Sequence, residues 1–289
     1  MLLALLRTLR PRQWVKNSFV AVPLFFALKL SDTGSVLRTL AAVALFSLIS
    51  GCVYVLNDLT DVEADRKHPK KRLRPIASGD LPVRVAKGFL FVAVPICVGL
   101  ASLLGVGYAA ALSGYFVLNI AYSLRLKNIA YLDVLLIATF FILRVTAGSF
   151  AITVDPSPWL LVCTFLLALF LGFGKRAHEL LVAEDAVAQR KALAAYRIGG
   201  LRWILHGLAV VVVVVYVLYT RADSTVAAFG TDALVYTVPF PVIGILRFVY
   251  LATTRGDAES PTDAMLKDPL FMATGVAWIV ANGVILYAG

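Results

Sequence analysis

Charged side chains are scarce in this chain. They make up 15% of 289 residues against 60% hydrophobic ones, and the mean hydropathy is +0.86, which excludes the balance of an ordinary water-soluble domain. Cysteine is also rare: Cys52, Cys97 and Cys163 all fall in apolar stretches, so packing is their expected role and no disulfide framework is indicated. The three histidines, His68, His178 and His206, lie far apart, which argues against a zinc site. No polar stretch is long enough for a separate soluble module that could enter a groove, so nucleic acid is not an expected partner. No small-residue cleavage site precedes Arg7, Arg10, Arg12 and Lys16, and a cleavable signal peptide is not expected. The alternating pattern of a membrane barrel is missing too, as the apolar run from Leu205 to Leu218 illustrates.

What remains is a chain whose solvent is lipid. A bilayer span takes roughly 20 mostly apolar residues, and a spanning backbone must satisfy its own polar groups, which helices do. Nine apolar stretches bounded by charge or turn residues fit, near 15–30, 36–56, 84–105, 107–123, 130–151, 157–174, 202–220, 232–252 and 269–288. The reading is all-α: a polytopic membrane helical bundle of about nine transmembrane helices, forming a single domain over 1–289. Basic residues set its orientation, because cytoplasmic loops near span ends carry excess Lys and Arg. With the N-terminus inside, all of the 27 Lys and Arg fall at the cytoplasmic side except Lys29, Arg38 and Arg221, outside, and Arg144, within a span. The C-terminus is then external. The net charge of +10 suits anionic lipid or a phosphorylated substrate.

Chemistry concentrates where the second apolar stretch ends. Asn57, Asp58, Asp61 and Asp65 follow one another at helical spacing, then comes a basic run from Arg66 to Arg74. Positions four apart share a helix face, so Asn57, Asp61 and Asp65 stack in a row with Asp58 about 100° away. A solvated helix end balanced by the following Arg and Lys is the bland alternative. Acids at a membrane boundary are costly and usually mark a site, however, and this set holds only hard oxygen donors of the kind Mg²⁺ takes together with substrate phosphates.

These four residues match the N-D-x-x-D-x-x-x-D signature of the UbiA superfamily, the intramembrane prenyltransferases, which the chain resembles over nearly its whole length. Tyr122 and Lys127 are similar to the tyrosine-to-lysine element before that family's second acidic motif. The resemblance implies a helical bundle whose active site opens to the cytoplasm and laterally to lipid, with Asn57, Asp58, Asp61 and Asp65 as metal ligands and Asp58, Asp61 and Asp65 as catalytic residues. At the second motif only Asp133 is present, with Ile137 four residues on, so one firmly bound Mg²⁺ is expected. Three further segments, Arg10 to Asn17, Lys71 to Ile76 and Gly174 to Glu179, resemble the decaprenyl-phosphate phosphoribosyltransferase branch. That branch implies phosphoribosyl pyrophosphate as donor, a polyprenyl-phosphate lipid as acceptor, a role in arabinan cell-wall precursor synthesis and a bacterial inner membrane. A homo-oligomer is compatible with it.

Under that resemblance Lys16 and Asn17 are assigned to phosphate, and Lys71, Arg72 and Arg74 to the donor 5-phosphate, although basic residues flanking spans also set topology or touch headgroups. Lys175, Arg176 and Glu179 form a similar cluster in which Arg176 and Glu179, one turn apart, could simply be an ion pair. Tyr122 and Lys127 are read as substrate contacts, the alternative being an interfacial anchor. Asp133 is read as holding ribose hydroxyls or a second metal. Arg144 lies some 16 Å along the helix from Asp133 and has no identifiable partner. Asp268, before Pro269, reads as a helix cap, and 181–200 as an amphipathic interfacial helix. Competing readings are an aromatic or quinone-precursor prenyltransferase, which ionises a prenyl diphosphate, and a lipid transporter or binding scaffold.

Overall fold

The structure is a computed structural model that describes residues 1–182, 191–254, 264–265 and 267–287. In chain order it contains α1 (Leu2–Leu9), α2 (Val22–Phe26), α3 (Thr33–Thr60), α4 (Val62–Lys67), α5 (Pro75–Ser78), α6 (Val83–Ser102), α7 (Val106–Leu124), α8 (Leu132–Ala151) and α9 (Pro158–Val182). There follow α10 (Ile198–Arg221), α11 (Asp223–Phe229), α12 (Pro239–Thr253) and α13 (Pro269–Tyr287), with no strand among the described residues. Packing divides the chain into two compact units, Met1–Leu124 with Phe140–Ser157, and Arg125–Thr139 with Pro158–Gly289.

Among the described residues seven helices are long and apolar enough to cross a membrane: Thr33–Thr60, Val83–Ser102, Leu132–Ala151, Pro158–Leu181, Ile198–Arg221, Ala233–Thr253 and Pro269–Tyr287. The chain is a multi-pass integral membrane protein. Two of the nine expected spans differ. The stretch near 15–30 is a 3-10 segment, Pro11–Val20, followed by the five-residue α2, because Pro11 and Pro23 interrupt any longer α-helix. The stretch near 107–123 is helical as α7, but its tyrosines, serines and Asn119 leave it less apolar than the seven. Residues 183–190 of the expected helix at 181–200 lie outside the described residues. In its described remainder α9 ends at Val182, Lys191–Ala195 is a 3-10 turn, and α10 begins at Ile198.

In the first unit α3 is the central element, packed against α1, α6, α7 and the 3-10 segment. Asp32 starts it: its carboxylate accepts from the Gly34 and Ser35 backbone N–H groups at 3.2 and 3.3 Å, satisfying two donors that a helix start leaves open. Arg38, on its first turns, donates to the Ala151 and Leu104 carbonyls at 2.7 and 2.9 Å and so closes the ends of two other segments. Small residues permit close approach. A Cβ on Gly51 would meet the Leu9 side chain, and one on Gly148 would stand 2.0 Å from the Val20 carbonyl oxygen.

The partner of Arg144 is now visible. Its guanidinium donates to Asn17 Oδ1 at 3.0 Å, to the Phe140 carbonyl at 2.9 Å and to the Tyr115 hydroxyl at 2.9 Å. The rings of Tyr115, Phe141 and Phe46 lie 4.7, 5.4 and 5.5 Å from its carbon, so a charge that lipid would penalise is held by dipoles and π-faces.

The second unit packs α9 against α10 and α12, and α12 against α13. Phe170, Leu205, Ile245 and Phe248 form its core, with Gly174 leaving room for the Phe248 ring. Asp268 caps α13 as expected, accepting from the Phe271 N–H at 2.8 Å. It is also gripped by Arg247, whose Nη2 donates at 2.6 Å and holds the Asp268 carboxyl below its ordinary range. Elsewhere large apolar side chains such as Phe91, Trp203, Leu246 and Val284 face outward, as a lipid solvent requires.

Gly148→Ala is expected to lower stability by about 1–3 kcal/mol, since the new methyl meets a backbone oxygen that has no rotamer to yield. Gly114→Ala, inside α7 with open space around its Cβ, should instead raise stability, by up to about 1 kcal/mol. Thermal melts of both variants in one detergent compare them.

Candidate functional site

The acidic end of α3 keeps helical spacing past its break. The Asp61 N–H bonds to the Asn57 carbonyl at 3.0 Å and the Asp65 N–H to the Asp61 carbonyl at 2.8 Å, so the row of side chains continues into α4. Asp58 and Asp65 are 2% and 3% exposed, Asp61 is half-buried, and Glu63 points to solvent, paired with Arg66 at 2.8 Å. Two buried carboxylates this close demand countercharge. It arrives as guanidinium: Arg74 Nη1 bridges Asp58 Oδ1 at 3.2 Å and Asp65 Oδ2 at 2.6 Å, and Arg10 Nη2 reaches Asp58 Oδ1 at 2.7 Å.

Hydrophobic packing aims both arginines. Leu9, Val55 and Ile76, on α1, α3 and α5, share one buried cluster with Leu81 and Ala86, and each arginine lies within two positions of a clustered residue. Pro75 fixes the turn after Arg74, whose backbone is extended. Arg10 closes α1 in a left-handed conformation, φ 53°, and its guanidinium stacks 4.9 Å from the Tyr54 ring centre.

The donor set can be tested against a hard divalent cation. Among the described residues no three His, Cys, Asp or Glu side chains converge closely enough to cage a metal by themselves. Mg²⁺ does not need such a cage, as it commonly takes one or two carboxylates and completes its shell with water and substrate phosphate. Asp58 and Asp65 converge on one point, where Arg74 Nη1 sits. Asn57 Oδ1 is buried and accepts no hydrogen bond, an acceptor that a cation would satisfy. These residues fit magnesium.

The remaining expected site residues fall in several places. Lys71 and Arg72 are exposed on a 3-10 turn beside Arg74. Lys16 is half-buried in the 3-10 segment Pro11–Val20. Asn17 is corrected: it is buried, its amide nitrogen donates to the Ser47 and Ser50 hydroxyls at 3.1 Å each, and its oxygen accepts from Arg144, so it orients a buried arginine and has no face left for phosphate. Tyr122 stacks edge-on against Phe140, with ring centres 5.6 Å apart.

In the second unit, Lys127 lies on the turn Leu126–Asn128 before α8, and Lys175 is half-buried on α9. Asp133 is fully buried there. Tyr196 donates its hydroxyl to Asp133 Oδ1 at 2.8 Å, and Arg176 Nε lies 3.4 Å from Oδ2. Arg176, itself buried, also pairs with Glu179 one turn on. With a hydroxyl on one oxygen and a guanidinium on the other, Asp133 does not present the open carboxylate that a second metal needs.

Residues 18–275 match the UbiA prenyltransferase family. The chain belongs to that family. Among curated relatives of this UbiA-family protein, the decaprenyl-phosphate phosphoribosyltransferase of Corynebacterium glutamicum is 34% identical over 95% of this chain and 84% of its own length. The enzyme of the same name from Mycolicibacterium smegmatis is 33% identical over 98% and 92%. Among solved structures, a UbiA homolog from Archaeoglobus fulgidus bound to GPP and Mg²⁺ superposes with a TM-score of 0.73, covering 98% of this chain and 99% of that one at 17% identity, which speaks for the shared fold.

Two features of the UbiA-family chain escape a reading of its sequence. Arg10 is one of a crowd of basic residues near the N-terminus, and only its place between an amphipathic run and Pro11 hints that a chain reversal carries it back to α3. Tyr196 sits in a stretch without periodicity. Its oxygen accepts from the Tyr131 N–H at 2.6 Å, and that bond holds Tyr131 at φ 64°, a backbone angle rarely adopted outside glycine.

Burial, and then the hydrogen bond to Asp133, raise the Tyr196 phenol above its ordinary value, outweighing the Tyr131 N–H. A raised folded-state value means the stabilisation is complete below the free tyrosine value of about 10 and is lost as pH rises through and beyond it. The melting temperature of the intact protein should therefore fall more steeply between roughly pH 9.5 and 11 than that of Tyr196→Phe. Parallel slopes for the two proteins would contradict this assignment.

Proposed function

We propose that the protein transfers the 5-phosphoribosyl group of phosphoribosyl pyrophosphate to a polyprenyl phosphate, decaprenyl phosphate or a close relative, at the cytoplasmic face of a bacterial plasma membrane. The product would feed arabinan precursor synthesis in the cell wall. What carries the reading is the near end-to-end match to curated relatives of that activity, joined to a cation-rich acidic site of the expected chemistry.

Asn57, Asp58, Asp61 and Asp65 are the residues that would hold magnesium. What the metal supplies when bound is Lewis-acid neutralisation of the charge that pyrophosphate gains as it leaves. The chain's own residues do the rest. Lys71 and Arg72 project into solvent beside the acids and fit the donor's phosphates, while Arg10 keeps countercharge on Asp58. The bond from the ribose anomeric carbon to pyrophosphate breaks, and a bond from that carbon to a lipid phosphate oxygen forms. The acceptor oxygen is already anionic at neutral pH, so no strong base is called for. Catalysis then rests on positioning and preorganised charge. A donor with two phosphorylated ends and an acceptor with a third explains why +10 of net charge gathers on so few polar residues.

The test is conversion of labelled polyprenyl phosphate by purified protein with phosphoribosyl pyrophosphate and Mg²⁺. Labelled phosphoribosylated lipid should form only with metal, and Asp61→Ala should reduce its rate by at least about a hundredfold. Consumption of a prenyl diphosphate with an aromatic acceptor in its place would assign the protein to the other catalytic class, and vesicle flux without turnover would make it a transporter.

A further inference from the structure

We propose that Arg74 is a resident cation which a divalent metal must displace, and that the displaced guanidinium then pairs with the pyrophosphate arriving with the metal. One side chain thereby couples the binding of two ligands of opposite charge. The inference rests on the reading of the acidic helix end as a metal and pyrophosphate site.

The geometry sets up a competition. Arg74 Nη1 lies 2.6 Å from Asp65 Oδ2 and 3.2 Å from Asp58 Oδ1, so a single nitrogen uses the point where both carboxylates converge. A Mg²⁺ seated at that point, about 2.0–2.1 Å from the carboxylate oxygens, would stand where Arg74 Nη1 stands, so the two cations compete for it. Both carboxylates are almost fully buried, so their need for a positive charge is strong whichever cation supplies it. Asn57 Oδ1, buried and without a hydrogen-bond donor, adds an acceptor that the guanidinium leaves unserved.

The two arginines are not equivalent. Arg10 has a second hold on the protein, the Tyr54 ring, and its backbone is fixed as the cap of α1. Arg74 has no side-chain partners among the described residues beyond the two carboxylates, and its side chain is 28% exposed, so a rotation about its own χ angles carries the charge outward. Lys71 and Arg72, three and two residues before it on the adjoining 3-10 turn, are both exposed. Once displaced, the guanidinium joins a basic strip suited to bidentate contact with phosphate oxygens. Before displacement, the strip lacks its most acid-proximal charge.

This predicts opposite effects of one substitution on two ligands, which loss of a merely structural residue would not produce. Mn²⁺ binding to the full-length protein is read by electron paramagnetic resonance, and radiolabelled pyrophosphate binding by equilibrium dialysis at saturating Mn²⁺. In Arg74→Gln, Mn²⁺ alone should bind about tenfold tighter because its competitor is gone, while pyrophosphate should bind about tenfold more weakly. Arg74→Lys should fall between the intact protein and Arg74→Gln in both assays. Weakening of both ligands, or of neither, overturns the proposal. If Arg74→Gln unfolds in metal-free detergent, Mn²⁺ should restore its melting transition at a lower concentration than the intact protein needs for its own Mn²⁺ shift, and failure to restore it counts against the proposal equally. Absence of any Mn²⁺ binding by the intact protein removes the functional reading itself along with this inference, whereas normal Mn²⁺ binding with unaltered response to the substitution removes the inference alone.

Discussion

Two carboxylates buried at the end of a membrane-spanning helix cannot stand without nearby positive charge, and much of the first unit is arranged to deliver it. Asp58 lies in the last turn of α3 and Asp65 in the short helix after it, so both are carried to the end of a spanning segment whose other residues are there for lipid and packing. Their countercharges come from opposite directions in sequence, Arg10 from before α3 and Arg74 from after it. The apolar cluster around Leu9, Val55 and Ile76 is what allows this convergence, because burying those side chains together leaves the adjoining arginines directly over the acids. Disrupting the cluster would release the arginines and leave buried charge uncompensated, a much larger penalty than the lost apolar area alone.

The same principle takes a different form elsewhere. Arg144 is neutralised by no carboxylate among the described residues and survives through an amide oxygen, a carbonyl, a hydroxyl and three aromatic rings. Asp133 and Arg176 neutralise each other within the second unit and are locked there by Tyr196 and Glu179. The acids Asp58 and Asp65 differ from both, since the guanidinium groups facing them are partly exposed, whereas Arg144, Asp133 and Arg176 are buried. A site that must exchange ions has to be built from the first kind of pair.

How much of this is legible in sequence follows from the range over which each interaction acts. The membrane class, the helices and the acidic row are local properties of composition and spacing, and the Asp268 cap and the Arg176–Glu179 pair span a single turn. Arg10 meets Asp58 across 48 residues, Tyr196 meets Asp133 across 63, and Arg144 meets Asn17 across 127. No periodicity encodes such meetings, which depend on how helices pack, and so Asn17 reads as a phosphate ligand when its amide is in fact consumed by Arg144 and two serines. The family signature bridges part of that gap for the acids because it records the outcome of packing in a short string. It carries no information about which cations face them.

If the oxygens of Asn57, Asp58, Asp61 and Asp65 serve to hold a divalent ion against a departing pyrophosphate, guanidinium is the partner of Asp58 and Asp65 at their point of convergence only when that ion is absent. A structure of the protein determined with Mg²⁺ and phosphoribosyl pyrophosphate tests it most directly. The expected result is density for a cation in contact with Asp58 and Asp65, with the Arg74 guanidinium turned onto phosphate. A donor bound elsewhere, with Arg74 still bridging the two carboxylates and no cation among them, would contradict it.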